Sequence, residues 1–238
     1  MAQVINTNVS AMFGAQALYK SNNALQTAMA RLSSGLRINT AMDDATGLVT
    51  ASTYEGDMRG ARQAARNASD GISTAQTNDG YLGQISENLQ RLRELAVQGA
   101  GTASGAETTA LLLENTRVLA FVTSAAAVVV NKDGGTLTGA GTKPTMGGLA
   151  TIAGIEADLT AVNASRAQYG GDMSRFTSAV AVLQIEEVNI AAAYSRVMDT
   201  DYAVETTNMT RNMILQQAGT AMLSQANQVP NNVLGLLR

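Results

Sequence analysis

The two ends of this 238-residue chain are nearly devoid of charge. Residues 1–42 hold three charged side chains and residues 203–238 hold another three. A solvated helix normally surrounds itself with charge, so helices made from these ends need other protein around them. The six charged residues are Lys20, Arg31, Arg37, Glu205, Arg211 and Arg238.

Apolar residues at both ends recur at helical spacing. In the first end they step by four, three and four residues, which is the spacing of a heptad seam. The second end repeats this pattern up to Pro230, where we expect the helix to end. We expect these ends to form paired coiled-coil helices that many copies of the chain bury against one another. The residues assigned to this packing are Leu25, Met29, Leu32, Leu36, Met209, Met213, Leu215, Met222 and Leu223.

Composition argues against several classes of function. The chain has no Cys and no His, which removes the thiolate, the imidazole base and the usual zinc ligands, so we expect no enzyme, no cofactor and no metal. A net charge of -3 and an aromatic content of 4% argue against nucleic-acid binding. We see no membrane span and no cleaved signal peptide. Two acidic pairs, Asp43–Asp44 and Asp199–Asp201, are interpreted as helix caps rather than metal sites.

Between the ends, three stretches have helical periodicity. The first starts at Asp43–Asp44 and runs to the glycine-rich break at residues 99–105, with Glu87 four residues before Arg91 as a surface pair. Further stretches cover about 106–120 and 157–198. Residues 121–155 differ, because a run of three valines leads into Asn-Lys-Asp-Gly-Gly, which predicts one or two short strands with turns.

The predicted fold is mainly α: an elongated antiparallel helical bundle with paired terminal coiled-coil helices and a small β/Gly-rich segment. Residues 1–42 and 203–238 are assigned to the terminal helices that form the inner assembly layer. Residues 43–120 and 156–202 are assigned to the bundle, and residues 121–155 to the strand and turn segment.

Several long motifs resemble bacterial flagellin. They include Arg31-Leu-Ser-Ser-Gly-Leu-Arg-Ile-Asn39, Leu89-Gln-Arg-Leu-Arg-Glu-Leu-Ala-Val-Gln98 and the tail that starts at Ile214-Leu-Gln-Gln-Ala-Gly-Thr220. The resemblance covers roughly residues 1–120 and 160–238. It implies a structural subunit of the flagellar filament, exported unfolded by the flagellar type III route without signal cleavage and located in the extracellular filament.

The resemblance also implies partners. They are other copies of the chain in a helical filament, an export chaperone, and the cap and hook-junction proteins. An alternative within the same system is a hook–filament junction protein, which would share terminal heptads but would cap rather than polymerise. An enzyme on a helical scaffold is a further alternative, for which we find no catalytic constellation.

Three residues carry a separate expectation. In flagellins with a matching Leu-Gln-Arg-x-Arg-Glu-Leu motif, the positions of Arg91, Leu95 and Glu114 are recognised by the flagellin-sensing Toll-like receptor. Composition alone describes them as a surface cation, a seam or flank residue and a carboxylate on a partner helix. The resemblance carries over directly for Arg91 and Leu95 and less directly for Glu114, because the loop before it differs.

Overall fold

The structure is a computed structural model that describes residues 7–99, 105–124, 127–147 and 151–235. It confirms a mainly helical chain with one small two-stranded sheet. The elements in chain order are α1 Val9–Ser34, α2 Ala45–Gln98, α3 Ala106–Phe121, β1 Ala127–Val129, β2 Thr136–Thr138, α4 Ile152–Met198 and α5 Tyr202–Gly235.

The chain divides into two compact units, and the divisions fall within α2 and α4. We call Met1–Thr53 with Ala192–Arg238 the terminal unit and Tyr54–Ala191 the central unit. The core of the central unit comprises side chains of α2, α3 and α4, including Leu82, Leu89, Val118, Val162 and Tyr169. Helix α2 is antiparallel to α3, because Asn88 bonds Asn115 and Arg91 bonds Glu107. It is also antiparallel to α4, because Arg93 bonds Glu156 and Arg62 bonds Glu187.

Helix α2 begins where the acidic pair predicts it. The Asp44 carboxylate accepts a hydrogen bond from the Gly47 N–H at 2.8 Å, which satisfies one free donor of the first turn. Asp43 instead accepts bonds from the N–H groups of Asn39 and Thr40, so it holds the turn that precedes the helix. Asp201 similarly accepts bonds from the second and third residues of α5.

Helix α1 ends earlier than the heptad pattern suggests. Gly35 has a φ of 73°, a left-handed conformation that favours glycine, and its N–H bonds the Arg31 carbonyl. The chain therefore leaves the helix before Leu36. That side chain packs beside Ile38 and Met198 in a small separate core.

Helix α5 ends later than the sequence suggests, because it continues through Pro230 to Gly235. The expectation that Pro230 ends the helix is wrong, and a neighbouring contact gives a physical reason. Proline has no N–H to bond the carbonyl four residues earlier, which is that of Ala226. The Asn8 side chain donates to this carbonyl at 2.8 Å, so the group is not left unpaired.

The two strands form an antiparallel hairpin in which Val129 pairs with Thr136. Its turn uses Gly134 at a φ of 83°, and the Gly134 N–H bonds the Asn131 carbonyl. The glycine-rich stretch beyond it is held by α4, because the buried Asp172 carboxylate accepts bonds from the Ala140 and Gly141 N–H groups, both at 2.8 Å. This stretch is therefore integrated with the helices of the central unit.

Helix α4 is the single helix in the described ranges with the length and composition of a membrane span, at a mean hydropathy of 1.2 over 18 residues. Length and composition alone are weak evidence for a span. The same helix carries Arg166, Asp172, Glu186 and Glu187, and Glu187 binds Arg62 of α2 at 2.6 Å. We therefore treat its exposed apolar residues as protein surface.

Candidate assembly interface

Helices α1 and α5 pair along their length within the terminal unit. Their directions are opposite, because Asn8 bonds the Ala226 carbonyl at one end and Tyr202 bonds the Leu32 carbonyl at the other. The buried and half-buried positions of each helix include a series that steps by three and four residues. We call these two series the seam. It comprises Ala11, Gly14, Leu18, Ser21, Leu25, Ala28 and Leu32 of α1, and Glu205, Met209, Asn212, Gln216, Gly219, Leu223 and Ala226 of α5.

The seam is unusual in its small and polar residues. A Cβ built on Gly14 would lie 3.6 Å from Cδ1 of Leu223, and one built on Gly219 would lie 3.3 Å from Cδ1 of Leu18. Each leucine therefore packs over a glycine of the opposite helix. Such close approach lets the helices pack while burying less apolar surface than a leucine-rich seam would.

Side-chain hydrogen bonds cross the same seam. Ser21 Oγ donates to the Asn212 carbonyl at 3.0 Å. Gln216 Nε2 donates to Asn22 Oδ1 at 3.1 Å, just beside the seam. These bonds give partners to polar groups that the helix pairing removes from water. Removing these groups from water therefore costs less free energy than it would without a partner.

One charged pair lies towards the far end of the seam. Arg31 Nη1 is 4.0 Å from the carboxylate of Glu205, which is only 8% exposed. Arg31 Nε is buried without a hydrogen-bond partner. This long ion pair is a weaker contact than a bidentate arginine–carboxylate pair.

The largest apolar side chains of both helices lie outside the seam. Phe13 is 68% exposed, Tyr19 70% and Met222 67%. Such a surface is more typical of an interaction site than of a solvated helix. We call this group the outer apolar residues: Val9, Met12, Phe13, Tyr19, Met29, Val204, Met213, Ile214, Leu215 and Met222.

A groove of about 470 Å³ lies on the α5 part of this surface. It is lined by four polar residues, Thr206, Thr207, Thr210 and Arg211, and by the apolar pair Ile214 and Leu215. An exposed groove with an apolar end could accommodate side chains of another molecule.

The structure distributes the predicted packing residues over three places. Leu25, Leu32, Met209 and Leu223 lie in the seam, and Leu36 lies in the separate core beyond α1. Met29, Met213, Leu215 and Met222 belong to the outer apolar residues. Sequence reasoning missed Gly14, Asn22, Gln216 and Gly219, because it followed apolar residues alone. The available signal for Gly14, Gln216 and Gly219 was that small and amide residues share the heptad spacing of the apolar ones, whereas Asn22 lies outside that spacing.

Arg91, Leu95 and Glu114 occupy the surface of the central unit. Arg91 Nε donates to Glu107 at 3.0 Å and Nη1 donates to Glu94 at 2.9 Å, and these bonds raise the pKa of its guanidinium. Arg91 pairs with these two residues rather than with Glu87.

Glu114 is engaged with a different partner. It accepts two bonds from Arg117 on the same helix, which lower the pKa of its carboxyl. Leu95 is half-buried one turn after Arg91. Glu107 thus links Arg91 to α3, while Glu114 is bound by Arg117.

Within the described ranges, no group of three or more acidic side chains is arranged to hold a metal ion. A cavity of about 370 Å³ lies between α2, α4 and β1, and its lining includes Gly71, Val128 and Phe176. Its polar groups Asn78, Tyr169 and Asp172 already bond protein backbone.

Comparison with known proteins finds a match to one family in each of two regions of the chain. Residues 5–117 match the family profile described as the bacterial flagellin N-terminal helical region. Residues 152–237 match the profile described as the bacterial flagellin C-terminal helical region. The stretch between the two matches contains both strands.

Individual relatives extend the match to the whole chain. The flagellin of Xenorhabdus nematophila is 36% identical over 313 aligned positions, which cover 100% of both chains. The flagellar filament 33 kDa core protein of Treponema phagedenis is 32% identical and covers 99% of this chain and 100% of the relative. A flagellin of Salmonella muenchen is 52% identical over 120 residues, which is 50% of this chain and 24% of the relative. The chain therefore belongs to the flagellin family, whose members are structural subunits of the bacterial flagellar filament.

Proposed function

We propose that the outer apolar residues of α1 and α5 are the surfaces through which copies of this chain pack in the filament. The observation that carries the proposal is the inverted distribution of side chains in the pair. Glycine, serine and amides lie in or beside the seam, while Phe13, Tyr19 and Met222 face outward. A pair with this arrangement gains most of its apolar burial from neighbours rather than from its own partner helix.

A second surface lies on the central unit. Val182, Ile185 and Val188 of α4 are exposed and follow one another at spacings of three residues. Residues at this spacing lie on one side of a helix, so they form an apolar stripe. We assign this stripe to contacts between the central units of neighbouring subunits.

Seeded polymerisation tests both surfaces. Phe13→Asp and Val182→Asp place a carboxylate on the two proposed surfaces, whereas the control variant Leu113→Asp places one at an equally exposed leucine of α3. We expect the first two variants to fail to extend ammonium sulfate-seeded filaments, because burying an unpaired carboxylate costs on the order of several kcal/mol per subunit. We expect the control to extend them. Normal filaments from Phe13→Asp, seen by electron microscopy, would contradict the proposal.

The wider assignment follows from membership of the family. We infer that the chain is exported unfolded by the flagellar type III route, without cleavage of a signal peptide, into the extracellular filament. Its partners in this process are an export chaperone, the cap and the hook-junction proteins. The same seeding experiment separates a filament subunit from a hook–filament junction protein, because a junction protein would cap the seeds and stop their growth.

Recognition by a Toll-like receptor is proposed for the surface that carries Arg91, Leu95 and Glu114. Two features support it: the Arg91 side chain is about half exposed, and its ion pairs hold the guanidinium at the α2–α3 surface. A receptor-dependent reporter assay on monomer tests the role. We expect Arg91→Ala to reduce the response at least about tenfold, because the receptor would lose one charged hydrogen-bonding partner. Arg59→Ala, at another exposed, ion-paired arginine of α2, is the matched control.

A further inference from the structure

The heptad pattern of α1 and α5 does not by itself determine the register in which the two helices pair. Seam positions recur every seven residues on both helices, so sliding α5 by seven residues would again place seam positions opposite seam positions. A purely apolar seam would hold both arrangements with similar stability. The helices therefore need contacts that distinguish the native register from the slipped one.

The structure contains such contacts at three positions along the helix pair. Leu223 packs over Gly14 and Leu18 over Gly219, so each large side chain meets the small residue that makes room for it. Gln216 bonds Asn22 one turn further along. A slip of seven residues would break the amide bond and separate both leucines from their glycines.

A fourth contact lies at the start of α1. The Asn8 side chain uses both of its polar atoms: Oδ1 accepts from the Ala11 N–H at 3.0 Å, and Nδ2 donates to the Ala226 carbonyl. That carbonyl is free because Pro230 has no N–H. The carbonyl one heptad earlier belongs to Gly219. Leu223, four residues after it, has an N–H that can form the normal helix bond, so this carbonyl does not need a side-chain donor.

We propose that the Asn22–Gln216 bond, the two glycine–leucine contacts and the Asn8–Ala226 bond together select the register of the terminal helix pair. They are positioning residues for assembly. Their effect is to decide which outer apolar residues of α1 stand beside which residues of α5, and hence the shape of the surface that a neighbouring subunit meets. The consequence for assembly rests on the proposed packing surfaces, but the register itself does not.

The chain offers a direct measurement because it contains no cysteine. A Cβ on Gly219 would lie 3.9 Å from Cβ of Leu18, within the range of roughly 3.5–4.5 Å that a disulfide requires. The pair Leu18→Cys/Gly219→Cys therefore reports the native register. Leu18→Cys/Asn212→Cys reports a slip of one heptad in the direction that would place Gly219 opposite Asn8.

The experiment compares disulfide yield of the two reporters in filaments of the full-length chain grown on parent seeds, where both terminal helices are held in the assembly. In the parent background we expect the native reporter to exceed the slipped one by about tenfold or more, since several contacts favour one register. Adding Asn22→Leu and Gln216→Leu should reduce that ratio by at least about fivefold, because the native register then loses one partly buried hydrogen bond.

Two further variants make the result specific. Asn22→Gln/Gln216→Asn keeps one long and one short amide, and we expect it to retain the parent ratio. Asn23→Leu/Gln217→Leu makes the same chemical change at adjacent exposed positions and should also leave the ratio unchanged. A ratio near one in the parent would overturn the proposal, as would an unchanged ratio after removal of the amide pair. Seeded growth of the parent is measured separately. If the parent forms filaments while either of these outcomes is observed, the register proposal fails and the proposed assembly function does not.

Discussion

At the scale of single residues, Asp172 connects the glycine-rich stretch to the core of the central unit. The side chain is only 1% exposed, and it accepts two backbone bonds and lies 3.5 Å from Arg175. Tyr169, one turn earlier, donates to the Thr123 carbonyl at 2.6 Å. Burial, followed by the charge of Asp172, raises the pKa of the Tyr169 hydroxyl, so it remains a donor at neutral pH.

We expect Asp172→Ala to lower the free energy of unfolding by about 3 kcal/mol, because two backbone N–H groups, one of them buried, lose a charged acceptor. Denaturant unfolding followed by circular dichroism measures the change. Asp70→Ala, at an exposed carboxylate beside the same cavity, is the matched control and should change stability by less than about 0.5 kcal/mol. Equal effects of the two variants would contradict the role given to Asp172.

Asp43 gives a prediction about pH. Bonds from the Thr40 N–H, then the Asn39 N–H and the Thr40 hydroxyl, lower the pKa of its carboxyl below the ordinary 3.8. A group whose pKa is lower in the folded state stabilises the fold above its unfolded pKa, and the contribution disappears as pH falls through the folded pKa. We therefore expect Asp43→Ala to lower the melting temperature at pH 7 and the difference from the parent to narrow below pH 3.8.

The control for Asp43 is its neighbour Met42, which is 97% exposed. Met42→Ala should leave the melting temperature unchanged at every pH. A difference between Asp43→Ala and the parent that stays constant from pH 7 down to pH 2.5, or roughly a unit below the ordinary pKa, would show that the carboxylate charge does not stabilise the turn.

At the scale of helices, the α1–α5 pair depends on which face each helix presents. Leu32 is half-buried in the seam, and its carbonyl accepts a bond from the Tyr202 hydroxyl at 3.1 Å. Met29, three residues earlier, is 47% exposed. Seam and outer surface thus lie within one turn of each other.

We expect Leu32→Asp to abolish seeded polymerisation and to leave the central unit folded. A carboxylate at this position costs on the order of several kcal/mol when the pair is buried by neighbours. Electron microscopy reports filaments, and thermal melting reports the central unit. Asn23→Asp, an exposed position of the same helix, should polymerise as the parent does. Filaments of normal length from Leu32→Asp would mean that this side chain faces solvent in the assembly.

The elements differ in how well the sequence predicts them. The start of α2 follows from Asp44, and the hairpin turn from Asn131 to Gly134, because capping and turn chemistry depend on neighbours in the chain. The faces of α1 and α5 were not predictable in the same way. An apolar pattern favours Met29 for the seam, but the helices approach through Gly14 and Gly219, and only the partner helix shows that leucines occupy that space. The Asp172 contacts span about thirty residues, so no local pattern indicates them.

At the scale of the whole molecule, the terminal and central units differ in how they cover their own apolar residues. The main core cluster of the central unit includes Leu82, Ile85, Leu89 and Leu92, all fully buried. The terminal unit exposes most of its large apolar side chains. We therefore expect the two units to differ in stability when the chain is not assembled.

Limited proteolysis should detect that difference. We expect protease to remove α1 and α5 from the monomer and to leave a resistant fragment that corresponds to the central unit. In filaments, where we propose that neighbours cover the outer apolar residues, cleavage of the same helices should slow by at least about a hundredfold, since it then requires a subunit to open. Cleavage of α1 at equal rates in monomer and filament would contradict the proposed packing.

The bond between Asn8 and Ala226 joins residues that are 218 positions apart in the chain. Contacts of such high contact order form late in folding, because closing a long loop costs entropy before the contact stabilises it. The seam residues of α1 are therefore covered only after α5 is present and folded. A chain that lacks α5 would present no complete pair to a growing polymer end. The placement of this bond thus makes completeness of the chain a condition for pairing and, on the packing surfaces that we propose, for incorporation, a form of quality control within the chain itself.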